Sequence, residues 1–127
     1  MIVLISRDLF FASKVMGTAQ QLGLIATTVD SAAKLREQLA AHDVTGVILD
    51  LHGGVAPPEV RAAVESVENV RARLVAFGPH VDTAALAAAR HAGFDDVLPR
   101  SRFASTLPEL LRTLALAGPP LTAEKLP

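Results

Sequence analysis

The segment Gly46-Val47-Ile48-Leu49-Asp50-Leu51 indicates the fold of the chain more clearly than any other. Its apolar residues follow one another without polar alternation, which is typical of a strand covered on both faces, and such strands occur mainly in parallel sheets. The strand ends in a carboxylate at Asp50. Because open parallel sheets bind their ligands at the carboxyl ends of the strands, Asp50 is the first candidate site residue.

Four more short apolar runs flank this strand, at 2–5, 24–29, 74–77 and 96–98. The longer segments between them carry apolar residues at spacings of three and four, as on one side of a helix. Gly23 and Gly93 stand where helices commonly end, and one last helix is predicted to carry the apolar residues from Phe103 to Leu114. Five strands alternating with five helices predict an α/β fold, a doubly wound, flavodoxin-like parallel sheet in the order 2-1-3-4-5.

The length and composition of the chain indicate one globular domain. It has 127 residues, of which 50% are hydrophobic and 20% charged, and its formal net charge is −1. We predict a domain over residues 1–117. The Gly-Pro-Pro sequence that begins at Gly118 should stop the last helix, so residues 118–127 are predicted to form a tail or the start of a linker.

Composition also excludes several classes of function. The chain has no cysteine, which rules out a disulfide scaffold, a thiolate nucleophile and Cys-ligated metals. An isoelectric point of about 6.4 and the absence of Tyr and Trp argue against a nucleic-acid binder. The apolar run at 2–5 is too short for a signal-peptide core or a membrane span. We therefore expect a cytoplasmic protein that binds neither nucleic acid nor membranes.

Two stretches make the sequence similar to the response-regulator receiver domain of two-component signalling. Residues 92–100, Ala-Gly-Phe-Asp-Asp-Val-Leu-Pro-Arg, are close to the receiver pattern A-G-A-D-D-Y-L-x-K, and residues 47–51 resemble the strand that delivers the phosphoacceptor aspartate. The resemblance extends from Met1 to about Ala117. It implies the same flavodoxin-like fold that the apolar pattern predicts.

The resemblance also assigns a role to each position of the receiver site. That family binds Mg²⁺ with two acidic residues after the first strand, accepts the phosphoryl group on an aspartate ending the third, and places a hydroxyl and a lysine after the fourth and fifth. Asp50 retains the aspartate, whereas the other positions fall on Ser6, Arg7, Gly78 and Arg100. The aromatic switch position on the fifth strand falls on Val97. The resemblance therefore implies a degenerate pseudo-receiver that is not an enzyme and uses no metal or cofactor.

Two further hypotheses concern the surroundings of Asp50. We expect Arg7 and Arg100 to lie near its carboxylate, where a salt bridge would take the place of the metal. Asp8 follows Arg7 and is a candidate for a second carboxylate, although it begins the first helix. Together with His52, Gly53 and His80, Asp8 is also a candidate lining residue of a small pocket at the strand ends.

The fourth helix is a candidate interaction surface. From 83 to 92 it consists mostly of small residues, and an exposed helix with little charge is suited to close packing against a partner. In receivers, helix 4, strand 5 and helix 5 form the face used for dimers and partners, and the resemblance implies a protein partner or a homodimer here. The candidate contact residues are Leu86, Arg90, Val97, Arg102 and Leu107.

Three functions are consistent with the sequence. The first is a receiver-like regulatory module that acts through protein–protein contact without phosphorylation. The second is a genuine phosphoacceptor that uses Asp50 with an atypical metal site. The third is a flavodoxin-like domain that binds a small ligand in a strand-end pocket lined by Ser6, His52, Gly53, Gly78 and His80.

Overall fold

Five parallel strands form one sheet in residues 1–117, the part of the chain that the computed structural model describes. The predicted tail over 118–127 lies outside the described residues. The strands are β1 (Ile2–Ile5), β2 (Ala26–Val29), β3 (Gly46–Asp50), β4 (Arg73–Gly78) and β5 (Asp96–Pro99). The helices are α1 (Leu9–Gln21), α2 (Ala32–Ala41), α3 (Pro57–Glu65), α4 (Thr83–His91), α5 (Arg100–Ser105) and α6 (Leu107–Ala117). The order β2-β1-β3-β4-β5 confirms the predicted topology.

Strand β3 is the centre of the sheet, paired in parallel with β1 on one side and β4 on the other. Every residue of β1 and β3 is buried, because side chains of successive residues point to opposite faces and helices cover both. One core lies beneath α2, α3 and α4 and includes Leu49, while the other lies beneath α1, α5 and α6 and includes Ile48. This double coverage explains the uninterrupted apolar sequence of β3.

Helices α1 and α2 begin after polar side chains that accept backbone hydrogen bonds. Asp8 accepts from the amide of Phe11 at the start of α1, and Ser31 accepts from the amide of Lys34 at the start of α2. Such caps satisfy amides that have no partner within the helix. The starts of α1 and α2 lie at the carboxyl edge of the sheet, where β1 and β2 end.

The prediction of one continuous last helix is wrong. The chain bends at Thr106 and forms two helices, α5 and α6. Pro108 explains the break, because it has no amide hydrogen to donate to the carbonyl of Ala104 and its ring would clash with that carbonyl in a continuous helix. The second strand also begins at Ala26, two residues later than predicted, where its ladder with Ile2 begins.

Helix α4 is attached to its surroundings at both ends. At its start, Asp82 accepts a hydrogen bond from the amide of Ala85. At its end, Arg61 of α3 donates to the carbonyls of Ala92 and Gly93, at 3.1 and 2.6 Å. Gly93 has a φ of +87°, a conformation that favours glycine and commonly ends a helix. Among the described residues, no helix combines the length and apolarity needed to cross a membrane.

Candidate functional site

Asp50 is a buried carboxylate at the carboxyl end of the central strand. Its side chain is 3% exposed. Ser6 at the end of β1 donates from Oγ to Oδ2 at 2.9 Å, and the backbone amide of His52 donates to Oδ1 at 3.0 Å. Each carboxylate oxygen thus has a hydrogen-bond donor from the protein, as a buried charge requires.

Arg100 is the cation nearest to this carboxylate in the described ion pairs. Its Nη2 lies 3.8 Å from Asp50 Oδ1, which is within ion-pair range but too long for a hydrogen bond. The same guanidinium lies 5.1 Å from the ring centre of Phe11 and 5.3 Å from that of Phe77, a cation–π arrangement. The predicted proximity of Arg100 to Asp50 is therefore present in the structure, with aromatic rings as additional partners.

Three phenylalanines form the apolar floor beneath Arg100. The rings of Phe77 and Phe103 are stacked with their centres 4.3 Å apart, and Phe11 lies 4.9 Å from Phe77. These three rings are absent from the predicted site residues. A signal was present, because Phe77 is next to Gly78 at a strand end and Phe103 is one helical turn after Arg100.

Arg7 does not take the position that was predicted for it. It makes no ion pair with Asp50 within residues 1–117; its guanidinium lies instead over Gly54, where an added Cβ would be 2.7 Å from Arg7 Cζ. Gly54 has a φ of +87°, so glycine suits both the backbone and the close approach of the arginine. The salt bridge proposed to replace a metal therefore involves Arg100 alone.

The residues around Asp50 do not fit a magnesium ion of the receiver type. Mg²⁺ requires oxygen ligands in octahedral geometry, usually carboxylates. Ser6 and Arg7 occupy the two positions that would supply these carboxylates. The hydroxyl of Ser6 donates a hydrogen bond to Asp50, and Arg7 is cationic. Asp8 caps α1, with its Oδ1 accepting from the Phe11 amide. Within the described residues, no group of three or more His, Asp or Glu side chains is arranged to hold a metal.

The position of the receiver hydroxyl is occupied by glycine and closed by a leucine. Gly78 is buried, and a Cβ added there would lie 3.2 Å from Cδ1 of Leu51. Val97 on β5 is half-buried and packs against the core beneath α2, α3 and α4. Neither residue offers a hydrogen-bonding group to Asp50.

His52 forms a bridge between the loop after β3 and the start of α4. Its Nε2 lies 2.7 Å from Oδ2 of Asp82, and the two side chains are 50% and 35% exposed. The hydrogen bond from His52, together with that from the Ala85 amide, lowers the pKa of Asp82 below its usual value of 3.8. Nothing in the sequence indicates that Asp82 pairs with His52.

The predicted strand-end pocket is not assembled as an open cavity by these residues. Gly53 is buried against the backbone of Ser6 and Asp50, so that a Cβ there would lie 3.1 Å from the Asp50 carbonyl oxygen. His80 is exposed on the loop after β4. A groove of about 380 Å³ lies instead between the ends of β1 and β2, and of the predicted residues it contains Ser6 and Arg7.

Two of the five predicted interface residues are in the core. Leu86 is 6% exposed on the inner side of α4, and Leu107 is 2% exposed against the phenylalanine cluster. Alanine surrounds Leu86 in the sequence, so the pattern could not distinguish the inner from the outer side of α4. Arg90 and Arg102 are exposed and Val97 is half-buried, which leaves these three accessible.

No protein-family model matches the chain, and no curated protein matches its sequence. Solved structures match over most of its length. The receiver domain of a sensor histidine kinase from Pseudomonas aeruginosa PAO1, solved with magnesium in its active-site cleft, superposes with a TM-score of 0.75 at 15% identity, covering 91% of this chain and 97% of that one. The receiver domain of the putative response regulator NarL from Mycobacterium tuberculosis gives 0.71 at 20% identity, covering 90% and 94%.

The phosphorylated cyanobacterial phytochrome response regulator RcpA is also similar, with a TM-score of 0.70 at 15% identity over 91% of this chain and 93% of that one. All of these structures are receiver domains or response regulators. The chain therefore has the fold of response-regulator receiver domains, as the resemblance in residues 47–51 and 92–100 implied. At this level of identity the match establishes the fold, and the function has to be argued from the site.

Proposed function

We propose that the chain is a receiver-fold regulatory module that acts through protein–protein contact and does not depend on phosphorylation of Asp50. It takes no metal or cofactor at this site, catalyses no reaction, and works in the cytoplasm. In this function the domain keeps one conformation and does not switch between two.

The hydrogen-bonded burial of Asp50 is the observation that carries the proposal. Phosphoryl transfer to a carboxylate needs an accessible oxygen and a cation that neutralises the developing charge. Here Ser6 and the His52 amide each occupy one oxygen, and the side chain is 3% exposed. The nearest cation, Arg100, is already engaged by Asp50 and by the rings of Phe11 and Phe77, and it donates hydrogen bonds but does not take oxygen ligands as Mg²⁺ does. These features favour a structural role for the carboxylate.

The composition of the exposed surface of α4 supports a role in protein contact. Its outer side carries Ala84, Ala87 and Ala88, with Arg90 as its exposed charge near the end. Small side chains allow close approach of a partner, and arginine is enriched in interfaces. Val97 and Arg102 extend this surface across β5 and α5. The partner is a second protein or a second copy of the chain.

The test of phosphorylation independence combines intact mass with NMR. The protein is incubated with acetyl phosphate and Mg²⁺, and separately with beryllofluoride and Mg²⁺, while amide signals of Asp50 and His52 are recorded. We expect no mass increase of one phosphoryl group and no saturable shift. A receiver domain with an intact acidic pair, treated alongside, shows that the reagents are active.

Asp50→Asn is the matched variant for this test. A modification or a saturable shift that is present in the wild type and absent from Asp50→Asn would overturn the proposal and establish a genuine phosphoacceptor. The contact surface is tested by sedimentation velocity over a range of concentrations. A second copy is the partner if the chain self-associates and if Arg90→Glu or Arg102→Glu weakens the association. Arg36→Glu, at an exposed residue of α2, should leave the association unchanged. A protein that is monomeric at every concentration excludes a second copy as the partner.

A further inference from the structure

A second polar site lies one strand away from Asp50, in the groove between the carboxyl ends of β1 and β2. The groove has a volume of about 380 Å³ and is lined by Ser6, Arg7, Leu9, Thr28, Val29, Asp30 and Lys34. That volume is within the range of small-molecule sites, about 300–1,000 Å³. We propose that this groove binds a compact phosphoryl dianion, either free phosphate or the phosphate of a small organic monoester.

The charges in the wall of the groove are mainly positive. Arg7 and Lys34 contribute two cations, against the single carboxylate of Asp30. Arginine presents a planar set of donors that matches a phosphate in a bidentate geometry, and lysine adds a compact charge. The guanidinium of Arg7 lies over Gly54 and makes no ion pair with Asp50 within the described residues, so the carboxylate of the degenerate receiver site is not its salt-bridge partner.

Lys34 is available to a ligand although it has a partner. Its Nζ lies 3.0 Å from Asp30 Oδ1, and the two side chains are 59% and 53% exposed. Exposed pairs of this kind contribute little to stability, so a ligand with two negative charges competes readily for the ammonium. Lys34 also lies in the first turn of α2, where the helix dipole favours an anion.

Thr28 supplies an independent observation. Its Oγ1 is buried and has no hydrogen-bond partner among the described residues. A buried hydroxyl without a partner is unfavourable, and such groups in a folded protein call for an explanation. Thr28 lines the groove with other atoms, and rotation of its side chain would bring the hydroxyl to a bound phosphoryl oxygen that accepts its hydrogen. The apolar side chains of Leu9 and Val29 in the same wall suit the organic part of a monoester.

The ligand is tested by NMR titration with inorganic phosphate, adenosine monophosphate and adenosine. We expect saturable shifts of amides in residues 6–9 and 28–34 with the two phosphate compounds and none with adenosine. Tighter binding of the monophosphate identifies an organic phosphate, and equal binding identifies phosphate itself. Binding of adenosine as strong as that of its monophosphate, or shifts with neither phosphate compound, would overturn the proposal.

Five variants distinguish a built site from general attraction of anions. Arg7→Gln and Lys34→Gln should each weaken binding by about tenfold, which corresponds to about 1.4 kcal/mol. Asp30→Asn should strengthen it, because the competing carboxylate is removed. Thr28→Val should weaken binding without lowering the melting temperature, since it removes an unpartnered hydroxyl. Arg36→Gln, an exposed arginine of α2 outside the groove, is the control.

An equal loss of phosphate affinity in Arg36→Gln and in Lys34→Gln would show that binding depends only on the net charge of the protein, and the proposal would fail. The inference is independent of the function proposed for Asp50. Asp50→Asn should leave the affinity for phosphate unchanged, so failure of one proposal can be recognised without reference to the other.

Discussion

Ser6 donates a 2.9 Å hydrogen bond to the carboxylate of Asp50, across 44 positions of sequence. The hydroxyl belongs to the end of β1 and the carboxylate to the end of β3, two strands that are neighbours in the sheet. Ser6 also accepts a hydrogen bond from the amide of Asp8, so the same hydroxyl connects the central carboxylate to the start of α1. A neutral donor therefore stands beside Asp50 at the position where the receiver resemblance calls for an acid.

Asp50→Asn should lower the free energy of unfolding by about 1–3 kcal/mol, because a buried charge-assisted hydrogen-bond arrangement is replaced by an amide that cannot accept from both Ser6 and His52. Urea denaturation measures the change. Asp43→Asn, at an exposed aspartate next to β3, should have almost no effect. Stability that is unchanged or raised in Asp50→Asn would show that the carboxylate does not organise the site.

Arg100 and Asp50 should be coupled by no more than about 1 kcal/mol in a double-mutant cycle of Arg100→Met with Asp50→Asn. The distance of 3.8 Å and the partial exposure of the guanidinium set this limit. Methionine retains the apolar contact with the rings of Phe11 and Phe77 while removing the charge. A coupling of several kcal/mol would instead indicate a closely hydrogen-bonded pair.

Gly46→Ala should destabilise the domain by about 1–3 kcal/mol, because the added Cβ would lie 2.7 Å from Cβ of Leu114 where α6 crosses β3. Gly17→Ala is the matched change, since a Cβ on this residue of α1 meets nothing within 4 Å. It should stabilise by about 0.5–1 kcal/mol through helix propensity alone. Thermal or urea unfolding of both variants measures the difference, and equal effects would contradict the packing of α6 on β3.

The pair of His52 and Asp82 should make the free energy of unfolding depend on pH in the acidic range. The pKa of Asp82 is lowered in the folded protein by the hydrogen bond from His52, and next by that from the Ala85 amide. A lowered folded pKa contributes stability that is present above the ordinary value of 3.8 and is lost as the pH falls through the lower folded value. Stability is measured by urea denaturation at a series of pH values.

Asp82→Asn should remove this contribution and flatten the acid limb of the stability profile. His52→Gln should flatten it in part, since the Ala85 amide still favours the ionised carboxylate. Asp43→Asn serves again as the exposed control. An acid limb as steep in Asp82→Asn as in the wild type would exclude the pair as its origin.

Much of the fold could be predicted because buried parallel strands leave an unmistakable pattern. The uninterrupted apolar sequence of β3 reflects coverage on both faces, and the glycine after α4 reflects a positive φ. The break at Thr106 leaves no mark on the apolar spacing, which continues across it from 103 to 114. Pro108, which lacks an amide hydrogen, is the sequence feature that indicates the break. A single proline changes the backbone locally without altering the apolar spacing from which a helix is predicted.

The sequence predicts which residues form the site better than it predicts the contacts that they make. Asp50, Ser6 and Arg100 come together because they stand at the carboxyl ends of β3, β1 and β5, which lie at one edge of the sheet. Strand β1 is the neighbour of β3, whereas Arg100 reaches Asp50 across the end of β4. The direction of Arg7 depends on the absence of a side chain at Gly54, and the pairing of His52 depends on where a loop places Asp82. Such side-chain directions arise from tertiary geometry and have no periodic signal in the sequence.

The attachment of α4 at both ends has a consequence for how a partner would bind there. Asp82 joins the start of the helix to His52, and Arg61 joins its end to α3. A helix restrained in this way has little conformational freedom to lose on association, so a partner would meet a surface that is already in its bound shape. Association with α4 should then be limited by diffusion and orientation, with rates that are insensitive to any slow rearrangement of the domain.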